Sequence, residues 1–295
     1  MLSVGGILVV GSQQGEIVAF DFAHPENVIS EFKVNFAPRA ILHPATYLNK
    51  VLIVGEKDLE LRNIRTTSLI FSFITEDSVL FKYIQDRLNE KASYINTDSL
   101  VGHRKGPSKV TGISLLVAEN SPALDVVALG FSNGEIVLLN LKQNQILQVY
   151  QIKDSKPVSI TFSQTDIPLM AVGNDNGDVV IFNLNEENIL SVMKNVHKSS
   201  VNYLEFLKNE LVLLSGSYSD NSLLMWQYDD GEETKFRILR KRSGLSAPIR
   251  KLRFYGDEGH HVIASSFADQ AEIKDYFLWN EGFEGNFSMV SFKFV

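Results

Sequence analysis

The chain has 295 residues, 44% hydrophobic and 21% charged, with a formal charge of −7 and no cysteine. That is a globular composition with enough apolar material for a sizeable core, and the missing thiols exclude disulfides and thiolate metal sites. No run of about 18 apolar residues is present to cross a membrane as a helix.

The opening "MLSVGGILVVG" carries no basic residue ahead of its apolar run and leads straight into a turn, so it reads as a buried strand rather than a secretory leader. Its pattern is that of a second strand, which makes the chain begin partway through a structural unit. "SQQGEIVAFDF" at 12–22 follows, a small polar turn and then an apolar strand. The same phrase returns as "FSNGEIVLLNL" at 131–141 and "NDNGDVVIFNL" at 174–184, and "DLELRNI" and "NSLLMWQ" fit its frame. The aligned strand ends Phe20, Arg62, Leu139, Phe182 and Trp226 are 42, 77, 43 and 44 residues apart, the long step being one period plus 34 residues. Four short antiparallel strands every ~40–45 residues are the signature of WD-type β-propeller blades. Asn133-Gly134 and Asn176-Gly177 predict tight hairpin turns with positive φ at both central residues.

Residues 76–109 interrupt the period. Val79, Leu80, Tyr83, Ile84 and Leu88 recur at helical spacing and predict a short amphipathic helix near 78–92, capped by Ser78 or Asp77 and followed by a polar loop. Such a helix serves either as a decoration packed on the side of a blade or as a docking element for a partner.

The unit after 196 carries a polar set. His197 precedes a strand, "LLSGSYSD" supplies Ser215 or Ser217 and then Asp220, and Trp226 lies six residues beyond that aspartate. The spacing follows the blade frame, so a buried hydrogen-bond chain that ties strands together is expected, not a catalytic Ser/His/Asp set. The other four of the five clear units lack the tryptophan and are expected to rely on apolar packing. Next, Lys235, Arg237, Arg240, Lys241, Arg242, Arg250, Lys251 and Arg253 follow one another with no acid between them. On an acidic protein this stripe is a candidate contact for RNA or an acidic partner, or else a solvated rim.

A partial sixth unit spans "APIRKLRFYGDEGHHVIASSFADQAEIKDYFLW", and the chain closes on an unfinished strand pair. The expectation is an all-β WD-repeat β-propeller over 1–295, with about five clear blades and a partial sixth. It would be part of a ring that is often seven-bladed, incomplete at both ends, and carry the 76–109 insertion. His24, His43, His103, His197, His260 and His261 show no metal-ligand spacing, and no P-loop, dinucleotide fingerprint or nucleophile elbow occurs. No catalytic, metal or cofactor site is expected, nor a small-molecule substrate.

Four phrases go beyond a general propeller signal: "HPATYLNKVLIVGE" at 43–56, "SPALDVVALGFSNGEI" at 121–136, "VHKSSVNYLEFL" at 196–207 and "SAPIRKLRFYGDEGHHVIASS" at 246–266. In this order they resemble the first propeller of the tandem WD-repeat subunit of the small-subunit processome, the U3 small nucleolar RNA-associated protein 21 family. The resemblance covers about 36–75 and 110–266; residues 76–109 and the tail after Asp269 depart from it. It implies a non-enzymatic nucleolar scaffold that supports pre-ribosomal RNA processing and small ribosomal subunit biogenesis. Its partners would be other WD-repeat proteins of the subcomplex and the U3 snoRNP, with candidate contact to pre-ribosomal or small nucleolar RNA. The competing reading is a generic propeller adaptor, such as a ubiquitin-ligase substrate receptor or coat component.

Overall fold

The computed structural model describes residues 2–44, 46–98, 113–220, 222–232, 234–242, 249–255, 261–268, 272–280 and 289–290. The chain divides into two compact units, Met1–Gln151 and Ile152–Val295. The first unit holds β1 (Leu2–Val4), β2 (Ile7–Gly11), β3 (Glu16–Asp21), β4 (Val28–Lys33), β5 (Ala40–Leu42), β6 (Lys50–Val54), β7 (Leu59–Asn63) and β8 (Leu69–Ser72). Then come α1 (Val79–Asp98), β9 (Leu115–Asn120), β10 (Val126–Phe131), β11 (Glu135–Asn140) and β12 (Gln145–Gln151). The second unit holds β13 (Pro157–Phe162), β14 (Leu169–Asn174), β15 (Val179–Asn183), β16 (Asn188–Met193), β17 (Val201–Phe206) and β18 (Val212–Ser217). It continues with β19 (Ser222–Tyr228), β20 (Phe236–Arg242), β21 (Ile249–Tyr255), β22 (His261–Ala268), β23 (Glu272–Asn280) and β24 (Met289–Val290). Among the described residues the strands form six four-stranded antiparallel meanders, each made of four consecutive strands. No helix among the described residues is long and apolar enough to cross a membrane.

The second strands β10, β14 and β18 are buried at every position; each opens on an apolar run, and β14 and β18 end on buried polar residues, Asn174 and Ser215 with Ser217. The fourth strand β12 faces solvent at Gln145, Leu147 and Gln151. Within each unit neighbouring sheets pack face on face. In the first unit Val9, Ile17, Val51, Ile53 and Ile64 join the first and second sheets. Leu52, Leu59, Phe73, Leu129 and Leu139 join the second and third, with Leu80 of α1 at 0% exposure in the same cluster. In the second unit Leu169, Val179, Ile181, Val201, Leu213, Trp226 and Phe236 form one core.

The sequence frame has a physical counterpart in the backbone. The pairing of third to fourth strand slips immediately before Phe20, Arg62, Leu139, Phe182 and Trp226, in five sheets alike. Each slip leaves one extra residue on the outer strand: Ile29, Ile70, Leu147, Leu190 and Leu239. A bulge bends and over-twists the strand that carries it. Its recurrence gives the five outer strands the same turn at the same point, with an aliphatic residue there each time.

Several expectations need correction. Leu2–Val4 pairs with Ile7–Gly11, so the opening stretch is a first and a second strand where the sequence suggested a second strand alone. Gly5 and Gly6, at φ of 50° and 78°, make the turn that an unbroken apolar pattern hides. The sixth sheet has four strands, where a partial unit was expected. The hairpins at 131–135 and 174–178 are three-residue loops in which only Gly134 and Gly177 have positive φ. Asn133 and Asn176 instead use their side-chain oxygens to accept the N–H of Glu135 and Asp178 at 3.2 and 3.0 Å.

The helix also runs further than 92, to Asp98. Nothing between Lys91 and Asp98 is a glycine or proline, so no residue there breaks the helical hydrogen-bond ladder. Ser78 is the cap: its hydroxyl accepts the N–H of Leu80 at 3.2 Å. On the packed face Tyr83 donates its hydroxyl to Glu135 at 2.7 Å, and Arg87 pairs with the same carboxylate at 3.0 Å. Burial pushes the Tyr83 hydroxyl up to about 12, which keeps it a donor. The rest of the insertion, 99–109, lies outside the described residues.

Candidate functional site

The second unit brings most of the predicted polar set together. The backbone of His197 follows β16, and its N–H donates to the carbonyl of Gly177 at 3.1 Å. The imidazole then enters the fifth sheet. Nε2 lies 2.9 Å from Ser215 Oγ, and Nδ1 lies 3.0 Å from Asp220 Oδ2. Trp226 Nε1–H donates to Ser215 Oγ at 3.0 Å. Register explains the meeting: Trp226 is paired with Leu213, so Ser215 is its diagonal neighbour on the same face.

Ser217 shares that face but stays out of the chain. Its hydroxyl meets Ser219 at 3.1 Å. Ser222, which the sequence reading missed, takes part: its hydroxyl donates to Asp220 at 2.7 Å and lies 3.1 Å from His197 Nδ1. The signal was there in the Asp220-x-Ser222 spacing, since aspartate commonly binds polar groups two residues on.

Each group's role follows from its donors. The Asp220 carboxylate only accepts, so the neutral ring keeps its proton on Nδ1; Nε2 then accepts the Ser215 hydroxyl proton, and Ser215 Oγ receives the indole N–H. Burial pushes the His197 imidazole below its ordinary value of 6.5, against the attraction of Asp220; nearby Lys241 lowers it further. Burial pushes Asp220 up, but hydrogen bonds from Ser222, the Lys198 N–H and His197 outweigh it and hold the carboxyl below its usual range. Ser215 has 0% exposure and its hydroxyl is engaged on both sides, so it is not presented for attack on a substrate.

After β4 and β8 apolar residues stand where His197 stands after β16. Val34 and Phe73 follow β4 and β8, donate their N–H to the carbonyls of Gly15 and Leu59, and are 1% and 0% exposed. A pH dependence follows for the histidine unit. The unfolded chain protonates His197 near 6.5 while the folded one resists, so folded stability is full above that value and is lost as pH falls below it. Urea unfolding of the intact chain at pH 7.5 and 5.5 will show the loss, at most about 1.4 kcal/mol per pH unit for one proton. His197→Gln will shrink it.

The basic stripe is divided between two strands of different sheets. Lys235 pairs with Asp230 at 2.9 Å and Arg237 with Asp229 at 3.1 Å. Arg240 and Lys241 are exposed on the outermost strand of the fifth sheet. Arg250, Lys251 and Arg253 fall on β21, a first strand that lies beside β17. β20 is the last strand of its sheet and β21 the first of the next, so the two halves of the stripe do not lie on neighbouring strands of one sheet. The side chains of Arg242, Arg250, Lys251 and Arg253 lie outside the described residues. Among the described residues no cluster of His, Asp and Glu is arranged to hold a metal.

Meander sheets with this period, recurrent bulge and buried polar link define a WD-repeat β-propeller. The fold agrees with the crystal structure of the Myceliophteria thermophila Cps50 (Swd1) β-propeller domain, at a TM-score of 0.66 and 12% identity, covering 97% of this chain and 82% of that one. The computationally designed Ika8 protein is also similar, at a TM-score of 0.60 and 16% identity, covering 90% and 66%. The profile of the WDR36/Utp21 first beta-propeller matches residues 1–229, and the chain belongs to that family. Human WD repeat-containing protein 36 is 30% identical over 239 residues, covering 80% of this chain and 22% of the relative. The U3 small nucleolar RNA-associated protein 21 of Saccharomyces cerevisiae is 27% identical over 252 residues, covering 82% of this chain and 22% of the relative. The chain thus spans less than a quarter of the length of these relatives.

Proposed function

We propose that this chain is a non-enzymatic scaffold module of the small-subunit processome. It acts in the nucleolus, supporting pre-ribosomal RNA processing by positioning WD-repeat partners and the U3 snoRNP. The observation that carries this reading is the family match over residues 1–229, joined to yeast relatives named for association with U3 small nucleolar RNA. The chemistry agrees in kind. The best-formed polar cluster is buried and spent on tying strands together, which leaves the loops and outer strands as the working surfaces. Several modest contacts on a stiff body raise the effective concentration of its partners for one another.

Purification of the tagged full-length protein from its own cells, with identification of co-isolated proteins and RNA, tests the reading. WD-repeat proteins and U3 RNA are expected. Ubiquitin-ligase or coat subunits in their place would overturn it in favour of a generic adaptor.

For direct RNA contact through β20 we propose Arg240 and Lys241, which are both exposed on this outermost strand. Reversal of both charges, Arg240→Glu with Lys241→Glu, will lower crosslinking to pre-ribosomal RNA. It will flatten the logarithmic salt dependence by roughly 1.4, the value for two phosphate contacts on a single strand. Unchanged crosslinking removes RNA from the role of this strand.

A further inference from the structure

The first unit carries an open groove of about 630 Å³ between its second and third sheets. It lies at the edge where first strands turn into second strands and third into fourth, formed by the 43–49 and 121–125 loops and the 141–144 turn. The floor is apolar: Leu61 and Leu141 are 4% and 5% exposed, and the Phe71 ring stands edge-on to Phe73 with centroids 4.8 Å apart. The lips are apolar as well, yet they face water: Ile70 is 41% exposed and Leu124 67%. Exposed apolar residues gathered around a concave floor, rather than scattered singly, mark an interaction site.

The polar groups at the groove set its charge. Asp125 is engaged by the Thr46 hydroxyl. Lys50 holds its ammonium 4.8 Å from the Tyr47 ring centre, and Lys142 is exposed at the rim. The lining therefore combines an aliphatic and aromatic floor with two cations against one occupied carboxylate.

We propose that this groove docks an extended peptide segment of a partner protein in which aliphatic side chains alternate with acidic ones. The aliphatic groups fill the floor left open between Leu61, Phe71 and Leu141, and the carboxylates meet Lys50 and Lys142, which fix register and hasten encounter. A second copy of this chain fits less well, because a two-fold contact sets the same patch against itself and brings lysine against lysine. Single-stranded RNA would find the two cations but a poor stacking platform, since the Lys50 ammonium covers the Tyr47 ring. The proposal is independent of the processome reading.

The test uses the intact chain and a fluorescent ten-residue peptide of alternating aspartate and leucine, read by anisotropy. Two comparison peptides replace aspartate by lysine, or leucine by serine. The aspartate–leucine peptide is expected to bind at least about tenfold more tightly than either. Leu124→Glu is expected to weaken it about tenfold, and Lys142→Glu to weaken it while improving the lysine–leucine peptide. Both side chains are exposed, so an unchanged Tm will show that the variants fold. Equal binding of all three peptides, no binding, or indifference to Leu124→Glu overturns the proposal. So does displacement of the peptide by Arg240→Glu, self-association of the chain that Leu124→Glu abolishes in place of peptide binding, or tighter capture of an RNA oligomer through Lys50 and Lys142.

Discussion

Ser215→Ala is expected to destabilise the second unit by about 3 kcal/mol, although it removes a single oxygen. That hydroxyl is the junction of the buried chain: it accepts from Trp226 Nε1 at 3.0 Å and lies 2.9 Å from His197 Nε2. Trp226 and His197 are 7% and 3% exposed, so neither finds water when the hydroxyl goes. Each unpaired buried polar group costs about 1–3 kcal/mol. For a unit of this size the Tm of the intact chain should drop by about 6–12 °C. Ser217→Ala removes an equally buried hydroxyl whose partner is Ser219, and about 1 kcal/mol is expected. A double-mutant cycle with Trp226→Phe isolates the link: in the Ser215→Ala background the tryptophan change should cost about 1–2 kcal/mol less than in the parent. Additive effects would mean that the indole and the hydroxyl do not share this bond.

The contrast between Ser215 and Ser217 shows where the sequence stops informing. Strand side chains alternate faces, so residues two apart are equivalent to any pattern of period two. The choice between them is made by the cross-strand partner. Trp226 sits opposite Leu213, which places Ser215 on its diagonal and Ser217 too far along. Repetition was the legible part, because it is written five times in Phe20, Arg62, Leu139, Phe182 and Trp226, and the backbone repeats a bulge at each. Features that occur once were not legible. The Gly5-Gly6 turn hides inside an apolar run. Glu135 looks like any turn carboxylate, yet it is 7% exposed and receives Tyr83 and Arg87 from a helix some 50 residues earlier, a pairing only the fold creates. The basic stripe is contiguous in sequence, but its residues from Arg237 onward fall on β20, the last strand of one sheet, and on β21, the first strand of the next.

Gly177→Ala is expected to cost about 3 kcal/mol or more, and to disturb the histidine as well as the turn. Gly177 holds φ at +93°, where an L side chain is strained by about 1–2 kcal/mol. A Cβ there would also fall 2.2 Å from the carbonyl oxygen of His197 and 3.1 Å from that of Ser199. Those atoms are backbone, so they cannot rotate aside as a side chain does. The loop must shift, and the residue it carries is His197, whose ring is fixed by Ser215 and Asp220. Glycines elsewhere separate the contributions. Gly5 has φ of +50° with open space around it, so Gly5→Ala should cost only the backbone strain, about 1 kcal/mol. Gly15 has φ of +86° and a Cβ position 2.3 Å from the Val34 carbonyl, so Gly15→Ala should match Gly177→Ala in cost. It carries no histidine, however, and should leave the Nδ1–H resonance of His197 unmoved, whereas Gly177→Ala should shift or broaden it. If Gly177→Ala costs no more than Gly5→Ala, the close approach of the turn to the His197 carbonyl is not what sets the imidazole in place.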